Sequence, residues 1–341
     1  MGMKPREYRY DNLRFFLMAL VVLGHLLEIT PDIPYKRELY YLIYSFYMPA
    51  FLFLSGIFAR WDRIKVIFGM CVPYLVLQTL YIRFAQGLYA PEEAMQFSRP
   101  YWILWYLFVL AVYTLLIPLY DIASPMGRLA MIAATVVLAL AVGCDKSIGY
   151  QWSASRILVF QPWFLLGYYF KDAKRLIQRW DSLDRPLKYL LTELVVLGCI
   201  VLEYGLIRWD VPEKLLYGAL SYADTGGSWQ MRGLSMCCAA SVIFLLFVVV
   251  GKRLDRKIPI LTVLGQNSLS IYLFHGFLVR LVQYRYHFLC DGVWDMLVLW
   301  AGILLLLGNP VAGRWTRFFF GAGWCRGRRF APHNGCLGHF R

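Results

Sequence analysis

A chain of 341 residues that is 60% hydrophobic and only 16% charged falls well short of the roughly 25% charge of a soluble domain. A formal net charge of +14 invites a nucleic-acid reading, but its distribution along the chain points to membrane orientation instead. Apolar runs recur from end to end rather than short stretches of alternating polarity, which excludes an outer-membrane barrel and predicts an all-α integral membrane protein.

Ten transmembrane helices are expected, at 13–29, 40–58, 64–82, 101–120, 129–143, 154–170, 187–207, 234–250, 260–283 and 293–308. The first run has no small-residue cleavage site and is followed directly by another span, so it is read as a retained helix. It carries Arg14 at its start and His25 and Glu28 near its far end. Eleven residues at about 100° each return to nearly the same face, and at about 1.5 Å per residue they cover roughly 16 Å of axis. One stripe therefore holds a cation at the membrane edge and a titratable base deeper in, and intramembrane ionisable groups point to function. Asp11 or Asn12 could cap this helix. Arg14 could equally be a snorkelling anchor, and His25 a plain hydrogen-bonding residue. With Glu28 one turn away to orient it, His25 becomes a candidate general base.

The second span contains Tyr47-Met48-Pro49 and ends in Ser55-Gly56. Pro49 is expected to kink it, and the small pair to allow close helix packing. Arg60, Arg63 and Lys65 follow at the same edge as Arg14, where they could grip phosphates or serve as orientation charge. The fourth span opens with aromatics, of which Trp105 and Tyr106 sit deep enough to line a cavity. In the seventh, Glu193 and Glu203 have no motif around them. The ninth begins with a polar run in which Asn267, Ser268, Tyr272 and His275 should face the bundle interior. No acid lies beside His275, which favours a structural role for it.

With a cytoplasmic N-terminus, the outer loops 30–39, 83–100, 144–153, 208–233 and 284–292 are each formally neutral, and the positive excess falls on the inner segments. That segregation follows the positive-inside rule and places both termini in the cytoplasm. The chain thus divides into a cytoplasmic segment (1–12), a transmembrane domain (13–310) and a basic tail (311–341) expected to be disordered on anionic lipid. Cys325, His333, Cys336 and His339 in that tail fit no common zinc spacing, and no metal is expected. The eight cysteines read as small apolar residues, not a disulfide framework. No phosphate-binding loop, dinucleotide fingerprint or zinc-protease motif occurs.

Five features in order carry a resemblance: Arg14 with His25; Met48-Pro49 with Ser55-Gly56; Arg60 with Arg63; Leu104-Trp105-Tyr106-Leu107; and the run from Gly265 to His275. Together they resemble the acyltransferase-3 membrane O-acyltransferases, in the branch similar to fucose 4-O-acetyltransferase. The resemblance implies acetyl or acyl transfer from cytoplasmic acyl-CoA to a hydroxyl, commonly on a glycan, at the bacterial inner membrane. It assigns His25 as catalytic base, which Glu28, one turn on, is placed to orient. Arg14, Arg60 and Arg63 would hold acetyl-CoA, and Tyr47, Trp105, Tyr106, Asn267, Tyr272 and His275 would line the substrate site. Related chains often have histidine where this one has Tyr47, and they can carry an extracytoplasmic hydrolase domain; here a second transfer step would need a partner enzyme. The competing expectation is a proton-coupled transporter with His25, Glu28, Glu193 and Glu203 as a relay. A structural or sensory subunit leaves the Arg14–His25 stripe unexplained.

Overall fold

The computed structural model describes residues 7–31, 33–122, 124–170 and 174–320. All regular structure among them is helical. Six helices are long and apolar enough to cross a membrane: Tyr8–Ile29, Lys36–Phe58, Arg63–Leu88, Pro125–Cys144, Arg185–Arg208 and Trp229–Val249. A seventh crossing results if Val293–Gly308 and Pro310–Phe320, bent by 57°, form one span. The protein is a multi-pass membrane protein. Helix length alone therefore supports six or seven of the ten expected crossings. The remaining segments are helical but short or divided. Residues 101–120 give the apolar helix Trp102–Leu115, 154–170 give the 17-residue Ala154–Phe170, and 260–283 split at Asn267 into Pro259–Gln266 and Ser268–Arg285.

The first helix, α1 (Tyr8–Ile29), is buried over most of its surface, with Phe16 exposed on one side. It starts earlier than expected, with Glu7 at its N-cap, so neither Asp11 nor Asn12 caps it. Asn12 instead stitches α1 to the segment ahead of the ninth apolar run. Its Nδ2 donates to the carbonyls of Leu254 (2.7 Å) and Arg256 (2.9 Å), and its Oδ1 accepts from Thr262 Oγ1 (2.8 Å).

The expected interruption of the second span, Lys36–Phe58, falls four residues ahead of Pro49, at the carbonyl that its missing N–H leaves free. The chain breaks at Ser45-Phe46 between α2 (Lys36–Tyr44) and α3 (Tyr47–Phe58). Pro49 then lies in the first turn of α3, where a backbone N–H has no intrahelical partner to lose. Asp62 caps the next helix, α4 (Arg63–Leu88), by accepting from the Lys65 backbone N–H. After α5 (Trp105–Leu115) and α6 (Pro125–Ala141) comes α7 (Ala154–Phe170), which lies almost backbone-to-backbone on α3. A Cβ on Gly56 would stand 2.2 Å from the Phe164 carbonyl oxygen, and one on Gly167 1.9 Å from that of Phe53. Only glycine admits that approach.

The long helix α8 (Arg185–Arg208) is peripheral, with Leu190, Leu194, Leu197, Ile200 and Val201 exposed, a face suited to lipid. The chain closes with α9 (Trp229–Phe244), α10 (Pro259–Gln266), α11 (Ser268–Arg285), α12 (Val293–Gly308) and α13 (Pro310–Phe320). Helical structure thus continues ten residues past the boundary expected at 310, and Arg317 of α13 donates to Asn267 Oδ1 (2.8 Å). Cys325, His333, Cys336 and His339 lie outside the described residues.

Candidate active site

The Glu28 end of α1 borders a cavity of about 430 Å³ lined by His25, Glu28, Tyr47, Trp105, Tyr106, Tyr272 and His275, among others. His25 is buried, and its Nδ1 lies 3.5 Å from Glu28 Oε2, one helical turn on. Glu28 Oε1 accepts from Tyr44 (2.5 Å) and Tyr217 (3.4 Å). With Nδ1–H directed at the carboxylate, Nε2 of His25 is left as the basic nitrogen. The His25 ring stacks on that of His275 (centroids 5.6 Å, planes 18° apart) and touches the Trp102 indole at 4.7 Å.

His275 has its tautomer set by the backbone. Its Nδ1 faces the carbonyls of Ile271 (2.8 Å) and Tyr272 (3.0 Å), both acceptors only, so the proton sits on Nδ1. Its buried Nε2 is an acceptor without a partner among the described residues. Trp102 reaches this place from a backbone with φ +35°, in the left-handed region that residues with a Cβ rarely adopt. Such strain persists only where the surroundings impose it.

A second cavity, of about 320 Å³, lies towards the Arg14 end of α1 and is lined by Arg14, Arg60, Lys65, Ser55 and Phe320, among others. Met18, Phe51, Tyr106 and Tyr272 line both cavities and so form a partition between them. Ser55 Oγ and Tyr106 Oη are 2.6 Å apart, while Tyr272 Oη donates to the Ile103 carbonyl and accepts from the Leu107 N–H. The arrangement offers a cationic chamber, a thin wall of four side chains, and a chamber with an oriented imidazole.

A family model described as an acyltransferase domain matches residues 7–321. The chain belongs to the acyltransferase-3 family. It is 24% identical to the nodulation protein NolL of Sinorhizobium fredii (strain NBRC 101917 / NGR234), over 92% of this chain and 89% of that one. No solved structure matches it.

In this acyltransferase-3 member the residues singled out from sequence separate into three groups. His25, Glu28, Tyr47, Trp105, Tyr106, Tyr272 and His275 meet in the larger cavity, whereas Arg14 and Arg60 line the smaller. Arg63 and Asn267 line neither. Arg63 is exposed with its guanidinium over Trp61 (4.7 Å), because Asp62 caps the helix and turns the chain there; Lys65 takes the cationic place in the cavity. Asn267 fills the break between α10 and α11, donating to the Gly308 carbonyl (2.9 Å). The acids of the expected relay are also apart. Glu193 is exposed, and Glu203 accepts from Ser45 Oγ (2.6 Å) and Cys238 Sγ (2.9 Å) without lining either cavity.

Sequence reading missed Arg99, Tyr150, Arg156, Tyr217 and Arg280 in the larger cavity. Arg156 and Arg280 carried a signal that went unused, since arginine inside an apolar segment is itself a functional pointer.

Proposed function

We propose that this chain moves an acetyl or other short acyl group from cytoplasmic acyl-CoA to a hydroxyl of a glycan or similar cell-surface acceptor at the bacterial inner membrane. The reading includes ten crossings with both termini cytoplasmic, as the charge segregation supports. Arg14, Arg60 and Lys65 hold the phosphates of CoA, guanidinium groups being suited to bidentate phosphate contacts. The pantetheine arm then carries the thioester past Met18, Phe51, Tyr106 and Tyr272 to His25. The observation that carries the proposal is the placement of a Glu28-oriented imidazole directly across a four-residue wall from a cationic chamber.

In the step itself, His25 Nε2 accepts the proton of the acceptor hydroxyl as its oxygen attacks the thioester carbonyl. The tetrahedral intermediate collapses with cleavage of the C–S bond. The CoA thiolate then takes the proton back from the imidazolium, leaving His25 neutral and the ester formed. A transient acyl-imidazole on His25 would use the same groups. Glu28 holds the imidazole in one orientation and stabilises its protonated form. Transfer of labelled acetyl from acetyl-CoA to membrane glycan tests the reading. His25→Ala should abolish transfer while the folded protein still binds acetyl-CoA, and wild-type transfer by that variant would overturn the mechanism.

A further inference from the structure

The larger cavity holds three cations that the proposed transfer has not used. Arg99 comes from the loop after α4, Arg156 from the start of α7, and Arg280 from the second half of α11, and all three line the cavity with His25. None forms an ion pair with a carboxylate among the described residues. Glu28 and Glu93 also line this cavity, but Glu28 is engaged by His25, Tyr44 and Tyr217. The guanidinium groups rest on aromatic faces instead. Arg280 lies 4.0 Å from the Trp102 ring, Arg156 4.7 Å from Trp105, and Arg156 and Arg99 share Tyr150 at 5.3 and 5.0 Å.

Most of their hydrogen-bonding capacity has no partner among the described residues. Of the five N–H groups on each guanidinium, Arg156 uses Nε on the Tyr217 carbonyl (3.1 Å) and Arg280 uses Nη1 on Gln283 (2.6 Å). Three arginines against the two carboxylates of Glu28 and Glu93 leave the lining cationic, and clustered cations in a partly desolvated cavity repel one another unless a further anion joins them. Rings that steady them by cation–π contact do not neutralise them. The smaller cavity, beyond the partition, already offers cations for the phosphates of CoA, and one CoA cannot place the same phosphates in both. The second set therefore faces the other substrate.

Building on the acyltransferase reading, we propose that the acceptor carries an anionic group, a carboxylate or a phosphate. Arg99, Arg156 and Arg280 receive it while the acceptor hydroxyl is presented to His25. Trp102, Trp105 and Tyr150 hold the three guanidinium groups around the cavity by their ring faces. Trp102 touches both His25 and Arg280, so the anion and the reacting hydroxyl would lie within one sugar unit or its immediate linkage.

Titration of the purified full-length protein in nanodiscs, read by tryptophan fluorescence, tests this with methyl glucoside, methyl glucuronide and glucose 1-phosphate as probes. The wild type should bind at least one anionic probe about tenfold or more tighter than the neutral glucoside, and which one wins separates carboxylate from phosphate. The preference should vanish in Arg156→Gln/Arg280→Gln and persist in Arg156→Lys/Arg280→Lys, with acetyl-CoA affinity unchanged in both. Equal binding of all three probes, no saturable response to either anion, or a preference that survives the glutamine variant would overturn the proposal. Loss of acetyl-CoA binding in the glutamine variant would also overturn it, by assigning the cluster to the donor. A failure here with His25-dependent transfer intact leaves the acyltransferase reading standing; loss of that dependence removes the reading itself.

Discussion

The two cavities are alike in size and in having arginines, and they differ in almost everything else. The smaller takes its cations from α1 (Arg14) and from around the start of α4 (Arg60 and Lys65) and is otherwise mostly apolar, with Leu54, Phe58, Met70, Leu110 and Phe320 in its lining. The larger draws its cations from three segments far apart in sequence and surrounds them with aromatic rings and two histidines. The first is a place for a generic charged handle. The second combines charge, flat surfaces and a base, which is what recognition of one particular partner demands. On the proposed function, affinity for the carrier falls to one end of α1 and discrimination plus chemistry to the other.

The sharpest way to break that division is His25→Ala. Losing a general base should lower the rate of acetyl transfer by about 10²–10⁴-fold while acetyl-CoA affinity, followed by thermal shift, stays where it was. A parallel loss of donor affinity would merge the two chambers into one site. Arg14→Gln combined with Arg60→Gln should do the reverse. Removing charge-assisted contacts worth about 1.5–3 kcal/mol each should raise KM for acetyl-CoA at least about tenfold, with acceptor KM little changed in the same assay.

Gly167→Val tests what the chambers share. Its side chain would drive into the Phe53 carbonyl, and overpacking of about 1–3 kcal/mol should lower the melting temperature. Because α3 carries Phe51 in the partition, donor and acceptor KM should rise together. The smallest effect belongs to Tyr106→Phe, which removes the 2.6 Å contact with Ser55, a loss of about 1 kcal/mol. It should loosen the wall and raise acceptor-independent hydrolysis of acetyl-CoA severalfold, measured as free thiol released.

The smaller chamber and α1 were largely legible from sequence, because helix periodicity alone places Arg14, Met18 and His25 along one helix. The face is not one open cleft, however. Met18 comes between the cation and the base and helps to wall them apart. The cations of the larger chamber escaped because each sits in or beside a loop whose formal charge is zero, and counting charges by loop hides convergence in space. Arg63 and Asn267 failed for local reasons: a capped turn sends the first outward, and a helix break consumes the second. Of the expected crossings that helix length and hydropathy alone do not support, 101–120 and 154–170 form helices under 18 residues, and α11 gives up hydropathy to the polar run from Ser268 to His275, which places Tyr272 and His275 against the cavity.

The partition of Met18, Phe51, Tyr106 and Tyr272 has one further consequence. If the thiol carrier docks behind it and the alcohol in front, each turnover discharges its products in opposite directions. Free coenzyme would fall back to the side it came from and the new ester depart on the far side, so carbon would be exported on a pantetheine arm reaching past those four side chains, without any soluble metabolite crossing.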